Sequence, residues 1–195
     1  MTETELSERL RTWLSQDNER MRALELVLQC AQVHDMPQWC IAAGFVRNLV
    51  WDKLHGFDRQ PLNDIDLIYY CPLDARPERD WAIEACLRAC APELPWSVKN
   101  QARMHLKNHD NPYQSSSDAM AYWPEMETAV GVSLNPTLKT SASVIENLQI
   151  VAPFGLASLL ALTLTRNPRR SLAVFEQRII AKGWLSQYPQ LVLAN

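Results

Sequence analysis

Two aspartates one residue apart, Asp64 and Asp66, open the apolar and aromatic run DIDLIYY. Side chains two positions apart on a strand point to the same face, so the two carboxylates are predicted to lie side by side. Like charges at that distance repel, and a divalent cation between them relieves the repulsion. Oxygen ligands of this kind suit Mg²⁺ (or Mn²⁺), whose shell substrate phosphates can complete. The alternative is that Asp64 and Asp66 lie at a solvent-exposed strand edge and bind no metal.

A glycine and an arginine precede this pair in IAAGFVRNLVWDKLHG, where Gly44 stands 20 residues before Asp64. A glycine at a strand-to-helix turn lets a ligand approach the backbone, and the first turn of a helix offers unpaired N–H groups to an anion. Arg47, one turn into the helix, has the planar guanidinium that binds phosphate or carboxylate. A packing glycine followed by an exposed arginine is the alternative. Together the two motifs predict a phosphate cradle followed by a metal-binding aspartate pair.

Apolar periodicity predicts the elements that position these residues. Two helices fill the first part of the chain, with a break and a new cap between Ser15 and Asn18. Strands and helices then alternate as follows: strand QWCIAAG, helix FVRNLVWDKLHG, strand DIDLIYY, helix ARPERDWAIEACLRACA and strand WSVKN. In the helix after DIDLIYY, five residues are assigned to or near the inner face: Trp81, Ile83, Cys86, Leu87 and Cys90.

In the rest of the chain, QARMHLKNH is predicted to be irregular or to form one or two helical turns, and DNPYQSSS is predicted to be a loop. The segments TAVGVSL and LQIVA are predicted to be strands joined by a turn around Asn135-Pro136. A buried helix over Val151–Leu164 starts a mostly helical end. The fold class is therefore α/β (α+β) in a single domain 1–195. Its parts are N-terminal helices (1–36), an α/β core (37–152) and a helical tail (153–195).

Composition and charge exclude several classes of protein. Of the 195 residues, 47% are apolar and 21% are charged, which is typical of a globular chain. A net charge of −3 disfavours a nucleic-acid-coating protein or a polybasic membrane binder. The most apolar segment, Val151–Leu164, is too short to cross a bilayer. The five cysteines lack disulfide-scaffold spacing and no export signal is visible, so we expect a cytoplasmic protein.

The sequence AAGFVRNLVWDKLHG followed by LNDIDL resembles the head of the DNA polymerase β-type nucleotidyltransferase superfamily. It is most similar to the tRNA nucleotidyltransferase and poly(A) polymerase pattern GGxVRDxLLG…DxD. Over nearly its whole length the chain also resembles a bacterial family described only as nucleotidyltransferase-like, and WSVKNQARMH and VAPFGL are further similar stretches. The resemblance implies a polymerase β-like core with a mixed sheet flanked by helices.

The resemblance also implies roles for individual residues. Gly44 and Phe45 would present backbone to the tail of a nucleoside triphosphate, and Arg47 would support that tail or tie the turn to the aspartates. Asp64 and Asp66 would hold Mg²⁺ and align an acceptor for in-line attack on the α-phosphorus. The implied partners are a nucleoside triphosphate and an acceptor, which is a small molecule or a macromolecule. The acidic net charge disfavours a nucleic-acid partner.

Three hydrogen-bond donors follow the strand WSVKN: Lys99, Arg103 and His105. Mainly through the resemblance, they are assigned to nucleotide binding at the same site. Solvated polar residues, with His105 capping a turn, are the alternative.

The chain departs from the pattern at positions that bear on activity. Ala43 replaces the first glycine, and Asn48 replaces the aspartate after Val-Arg. The superfamily normally supplies a third carboxylate from a later strand, but WSVKN offers Lys99 and Asn100. Other acidic residues lack the expected strand context: Glu93, Asp110 and Glu146.

Three interpretations of this departure stay open. A base is recruited elsewhere, for example His105; or Lys99 meets a negatively charged substrate; or the domain binds nucleotide without turning it over. The last makes the chain a catalytically silent nucleotide-binding sensor or interaction module.

A zinc site is a further alternative, because Cys86 and Cys90, like His105 and His109, have helical i, i+4 spacing. The two cysteines also fit the core stripe of an amphipathic helix, where buried cysteines are common. The core interpretation is favoured.

Overall fold

The computed structural model describes residues 1–135 and 144–194. The helices are α1 Glu3–Ser15, α2 Asn18–His34, α3 Gly44–His55, α4 Pro77–Cys90, α5 Met104–Asn108, α6 Ser116–Met120, α7 Val144–Asn147, α8 Ala157–Leu160, α9 Leu172–Lys182 and α10 Trp184–Gln187. The strands are β1 Cys40–Ala42, β2 Ile65–Tyr69, β3 Trp96–Asn100, β4 Gly131–Leu134, β5 Leu148–Val151, β6 Thr163–Leu164 and β7 Val192–Leu193.

The first two helices begin where side chains cap them. The Thr2 hydroxyl accepts from the Glu5 amide while the Glu5 carboxylate accepts from the Thr2 amide, which is a capping box. Asp17 caps α2 by accepting from the Arg20 amide at 3.0 Å. The predicted break between Ser15 and Asn18 is therefore confirmed, with Asp17 as the new cap.

Five strands form the central sheet in the order β3-β2-β1-β4-β5. Strands β2 and β3 are parallel and are joined through α4, whereas the other neighbouring pairs are antiparallel. In this register Ala42 of β1 lies between Asp66 of β2 and Gly131 of β4. The mixed sheet flanked by helices that the sequence predicts is confirmed.

The two faces of the sheet differ in how they are covered. Alternate residues such as Ile41, Leu67 and Val132 are fully buried in the main core beneath the helices. The opposite face carries a smaller cluster of buried residues: Cys40, Ala42, Ile68, Met120 and Ala129. Asp66 is on this second face, two residues from Ile68, so the sheet delivers its carboxylate to the less covered side.

The packing of this second face leaves no room for a side chain at Gly131. A Cβ there would lie 2.7 Å from the Cys40 sulfur, well inside van der Waals contact. Glycine is therefore required at this position by the sheet itself and not by a ligand.

Several predicted elements differ from the structure. Trp81 on α4 is 62% exposed and Cys90 is also exposed, so neither packs inward, whereas Ile83 and Leu87 are buried as predicted and Cys86 is half-buried. The segment Val151–Leu164 is not one helix, because it holds the end of β5, the short helix α8 and strand β6. Pro153 cannot donate a hydrogen bond to extend β5, and Gly155 has a φ of +73°, which ends regular structure there.

The end of the chain is also less helical than predicted. Strands β6 and β7 form a two-stranded parallel sheet beside the helices α9 and α10. Helix α6 begins at Ser116, inside the predicted loop DNPYQSSS. The predicted turn around Asn135-Pro136 lies in part outside the described residues. Within residues 1–135 and 144–194, no helix combines the length and the apolar character needed to cross a bilayer.

Candidate active site

The turn between β1 and α3 has a backbone conformation that glycine adopts without strain. Ala43 has φ 56° and ψ −124°. Its amide donates to the Val130 carbonyl at 2.9 Å, and its own carbonyl accepts from the Val46 and Arg47 amides at 3.1 and 2.9 Å. A positive φ at a non-glycine residue costs about 1–3 kcal/mol. The alanine that replaces the first glycine of the pattern thus keeps the glycine geometry at a cost in stability.

Helix α3 starts directly after this turn without a side-chain cap. The amides of Gly44 and Phe45 belong to its first turn, where helical amides lack intrahelical acceptors. The Phe45 ring is buried and its carbonyl accepts from Arg20 Nε at 2.7 Å, which leaves the amide as the backbone group it can offer. These amides give the turn the character of an anion-binding site.

Nothing in the packing of the protein itself requires glycine at position 44. A Cβ there would lie 3.4 Å from the Asn48 amide nitrogen and 3.6 Å from Arg47 Nη2, both ordinary contacts. The φ of Gly44 is not positive either, in contrast to Gly56. A need for glycine at this position would therefore come from a ligand.

The two aspartates stand at the start of β2. Asp64 is exposed just before the strand, and Asp66, the second strand residue, is half-buried. Burial and then the charge of Asp64 raise the pKa of Asp66 to about 6, although Lys182, Arg47 and Lys99 act against the increase. The acid pair is therefore incompletely neutralised by the cations around it.

Arg47 is a buried cation with neutral partners. Its side chain donates to the Thr128 hydroxyl at 2.8 Å and to the Asn48 side-chain carbonyl at 2.9 Å. The guanidinium lies 4.4 Å from the ring centroid of Trp184 and 4.9 Å from that of Trp51, within the range of cation–π attraction.

The charge of Arg47 has no close counter-ion. Among the described residues, no ion pair includes Arg47, and its buried Nε has no hydrogen-bond partner. Burial lowers its pKa to about 10, so it remains charged at neutral pH. Glu125 and Asp66 attract the guanidinium without pairing with it, so a buried, charged group whose hydrogen-bond partners are neutral is suited to accept an anion.

The C-terminal segment forms one wall of the site, with residues that the sequence did not identify individually. Arg178 and Lys182, one turn apart on α9, both face it; Arg178 is held by Glu125 at 2.5 and 3.2 Å, while Lys182 is exposed. The rings of Trp184 and Tyr188 pack edge-on against Trp51 of α3, with centroids 5.8 and 5.1 Å apart. The basic i, i+4 pair just before a helix-ending glycine is the signal that could have identified this wall.

These elements enclose a cleft of about 240 Å³. Its walls are the turn residues Ala43, Gly44, Arg47 and Asn48, the loop 60–64 with Asp66, and the C-terminal residues Arg178, Lys182, Trp184, Gln187 and Tyr188, together with Arg20, Asp52 and Thr128. The structure thus brings Gly44, Arg47, Asp64 and Asp66 into one cavity.

Lys99, Arg103 and His105 do not line this cleft. Lys99 lies beside Ile68 in the register of β2 and β3, on the same face as Asp66, and its charge lowers the pKa of Asp66. It therefore influences the site from outside the cavity.

Arg103 and His105 contact other parts of the fold, although Arg103 Nη1 and His105 Nδ1 have no hydrogen-bond partner. Arg103 forms an ion pair with Asp80, whose carboxylate also accepts from the Tyr69 hydroxyl at 2.7 Å. His105 packs against the ring of Tyr113, 6.0 Å between centroids. Both follow β3 but face other elements, so they do not share the cavity of Gly44 and the aspartates, and their role in nucleotide binding stays a prediction. Proximity along the chain did not translate into a shared cavity.

The strand β3 provides no acid beside the aspartates. Ser97, not Lys99 or Asn100, is the residue paired with Asp66. Asn100 lies on the opposite face, where its side-chain amide donates to the carbonyls of Cys71 and Asp74 at 2.8 and 3.0 Å.

The other acids considered for that role do not line the cleft either: Glu93 pairs with Arg22, Asp110 pairs with Arg170, and Glu146 is on α7. Within the described ranges, no group of three His, Cys, Asp or Glu ligand atoms within 4.8 Å of one another includes either aspartate.

The donor set fits a divalent cation that prefers oxygen. Asp64 and Asp66 offer carboxylate oxygens, and burial followed by the charge of Asp64 raises the pKa of Asp66, a cost that a bound cation would relieve. Two carboxylates with room for substrate oxygens is the arrangement in which Mg²⁺ is commonly bound.

A protein-family model described as "Nucleotidyltransferase" matches residues 29–193. Among solved structures, an NMR structure said to reveal a CCA-adding enzyme head domain has a TM-score of 0.78 at 27% identity, over 95% of this chain and 94% of that one. A CCA-adding enzyme with CTP matches at 0.63 and 14% identity, over 94% of this chain and 43% of that one.

A structure of "tRNA-processing enzyme complex 3" matches at 0.55 and 16% identity, over 86% of this chain and 42% of that one. The similarity to the tRNA-processing complex and to the CTP-bound enzyme shows a shared fold alone. The present chain spans less than half the length of each of those two chains. No curated protein sequence matches the chain significantly.

Proposed function

The chain belongs to the nucleotidyltransferase family, and we propose that it is an Mg²⁺-dependent enzyme that moves a nucleoside monophosphate from a nucleoside triphosphate to an acceptor. Nucleotidyl transfer in general follows from the family and from the similarity to a CCA-adding enzyme head domain. The metal, the choice of nucleotide and the use of this particular cleft are the proposal.

One observation supports the proposal most: a buried cation without an ion-pair partner and an incompletely neutralised pair of carboxylates line the same cleft. A direct ion pair between Arg47 and Asp66 would neutralise both charges, but Arg47 instead donates hydrogen bonds to Thr128 and Asn48. A metal–triphosphate complex brings a positive centre for the carboxylates and negative oxygens for the guanidinium. The negative carboxylates therefore match the metal of this ligand, and the positive guanidinium matches its phosphate oxygens.

Each residue then has a defined task in the transfer. The amides of Gly44 and Phe45 donate to phosphate oxygens, while Arg47 and Lys182 offset their charge from the other sides of the cleft. Asp64 and Asp66 would hold the divalent ion, which supplies charge neutralisation and orientation of the phosphates when it is bound. An acceptor oxygen forms the new bond to the α-phosphorus as the bond to pyrophosphate breaks in line with it.

The C-terminal wall favours a confined acceptor site. Trp184 and Tyr188 are anchored on Trp51, and the Tyr188 hydroxyl donates to Asp52 at 2.9 Å, so this wall is tied to α3 at several points. We propose that it limits which acceptor reaches the phosphates. CTP is the first triphosphate to test, because a protein of similar fold was solved with it.

A second candidate function is a nucleotide sensor that keeps the pocket without turnover. Its support is the serine beside Asp66 where the superfamily places an acid. For either function we propose a cytoplasmic location, which the five free cysteines support.

The decisive experiment incubates the protein with each labelled triphosphate, Mg²⁺ or Mn²⁺ and a cell extract as the source of acceptors. Pyrophosphate release and a labelled product that both disappear in Asp66→Asn support the enzyme. Saturable triphosphate binding without product supports the sensor. Neither binding nor product with any triphosphate contradicts both functions.

A further inference from the structure

A second cluster of potential ligands lies away from the cleft, between helices α2 and α4. Each helix carries two such side chains one turn apart: Cys30 and His34 on α2, Cys86 and Cys90 on α4. A ligand sulfur or nitrogen of Cys30, His34 and Cys86 lies within 4.8 Å of the other two. In the part of the chain that the structure describes, this is the group of three found with such spacing, and His105 and His109 are not in it.

Two polar clamps fix the helices on either side of this cluster. At one end, Arg79 of α4 donates to the carbonyls of His34 and Asp35 at 2.8 Å each, where α2 ends. At the other end, Arg22 of α2 pairs with Glu93, just after α4, at 2.6 Å. The helices therefore run antiparallel with a defined register, and the three ligands are positioned by both helices.

The cluster combines a buried side with an open one. Cys30 is 4% exposed, whereas His34 and Cys86 are half-buried and Cys90 is exposed. Burial, and then the neighbouring Cys86, raises the pKa of the Cys30 thiol to about 12, so Cys30 is protonated without an ion. An ion could reach the cluster from the exposed side.

We propose that Cys30, His34 and Cys86 form a binding site for a thiophilic divalent cation, foremost Zn²⁺, with the fourth position open to solvent. Two thiolates and one imidazole are the donor set that selects zinc over magnesium. Ligands on a tetrahedral zinc lie roughly 3.5–4 Å apart, so three atoms within 4.8 Å of one another need only small side-chain rotations.

Metal binding exchanges the two thiol protons for the cation. Each thiol releases its proton to solvent as the sulfur–metal bond forms, and the neutral imidazole donates its lone pair. No electron transfer is involved. The bound ion would join α2 to α4 between the two clamps, which makes this a structural site.

The ordinary explanation of the same residues is core packing, since buried cysteines are common and a histidine at a helix C-terminus interacts well with the helix dipole. The two explanations differ in one measurable respect. Core residues bind no metal, whereas a site binds one equivalent through its thiolates.

The test titrates the full, reduced and chelator-treated chain with Co²⁺, in excess Mg²⁺ so that the aspartate pair is occupied. We expect one equivalent of Co²⁺ to give thiolate-to-cobalt absorption in the near ultraviolet and tetrahedral bands in the visible, both displaced by Zn²⁺. Cys86→Ser should remove the thiolate band, and His34→Asn should weaken binding. His109→Asn, an exposed histidine outside the cluster, is the matched control for His34→Asn and should bind like the wild type.

A second readout covers the case in which a variant folds poorly. Zn²⁺ should raise the Tm of the wild type and of His109→Asn, and leave the Tm of His34→Asn, a half-buried position at the end of its helix, much less changed. The site is refuted if the wild type gives no thiolate band, or if Cys86→Ser keeps the band of the wild type.

Discussion

Arg47 and Arg103 occupy comparable places in the fold and have opposite surroundings. Each follows a strand of the central sheet by a few residues, and each is largely buried. Arg103 meets the carboxylate of Asp80, whereas Arg47 meets the neutral side chains of Thr128 and Asn48. The residue type is the same in both places. The charge left unmet by the protein is what distinguishes a binding site from a structural ion pair.

The acids of the two regions differ in the same way. Asp80 is 1% exposed and accepts from the Tyr69 hydroxyl, the Asn100 amide and Arg103, so its charge is satisfied from several sides. The charge that acts most strongly on Asp66 is that of another aspartate, Asp64, and no ion pair among the described residues includes Asp66. Satisfied acids stabilise a fold, and unsatisfied ones are available to a ligand.

The largest effect is expected when the acid pair is broken. Asp66→Asn should reduce Mg²⁺-dependent triphosphate binding and turnover at least about 100-fold, because a bound metal contributes several kcal/mol to such reactions. Calorimetric titration with and without Mg²⁺ measures the loss. Glu78→Gln, an exposed acid on α4, is the control and should bind like the wild type. Equal affinity of Asp66→Asn and wild type would show that the metal is held elsewhere.

Replacing the two arginines separates the regions most clearly. Arg103→Met leaves the buried Asp80 without its cation, so the free energy of unfolding should fall by about 3 kcal/mol while triphosphate affinity stays unchanged. Arg47→Met should do the reverse: a loss of roughly tenfold or more in affinity with a smaller loss of stability. Urea unfolding and calorimetric titration measure both variants. Loss of affinity in Arg103→Met alone would reverse the assignment of the two regions.

The pH dependence of stability sharpens the comparison of the acids. The pKa of Asp66 is raised to about 6, so between about pH 4 and 6 the native state binds more protons than the unfolded one and stability falls as pH rises. Asn at this position removes that cost. In metal-free buffer, the stability gain of Asp66→Asn over wild type should therefore grow from near zero at pH 4 to about 1–3 kcal/mol at pH 7. A gain that is the same at both pH values would mean that Asp66 is not repelled in the folded state.

The smallest effects are expected at the turn. Gly44→Ala should keep stability within about 0.5 kcal/mol, since the added methyl makes ordinary contacts, yet lower triphosphate affinity about tenfold by displacing phosphate from the amides. Ala43→Gly is the companion variant: it relieves the positive φ and should stabilise the fold by about 1 kcal/mol. Unaltered affinity in Gly44→Ala would place the phosphates away from α3.

The parts of the site that the sequence predicted are those set by local rules. The alternation of a strand puts Asp64 and Asp66 on one face, and a strand-to-helix turn places Gly44 and Arg47 within a few residues of each other. The mixed sheet and its flanking helices follow from periodicity in the same way, and the family resemblance is confirmed.

What could not be predicted depends on partners distant in sequence. Arg103 was separated from Asp80 by 23 residues, and Lys182 reaches Asp66 from more than a hundred residues away, so neither contact has a local signature. The register that sets Ser97 beside Asp66 is decided by how β3 docks on β2. The prediction of a helix over Val151–Leu164 was wrong because it relied on apolar content. The local signals of Pro153 and Gly155, which disfavour a continuous helix, received too little weight.

The most direct test of the central claim is a crystal structure with Mn²⁺ and a non-hydrolysable triphosphate. We predict an anomalous Mn²⁺ peak between the carboxylates of Asp64 and Asp66, with phosphate oxygens on Arg47 and on the amide of Gly44. A metal bound away from both aspartates, or phosphates held beside Arg103 and His105, would contradict the account.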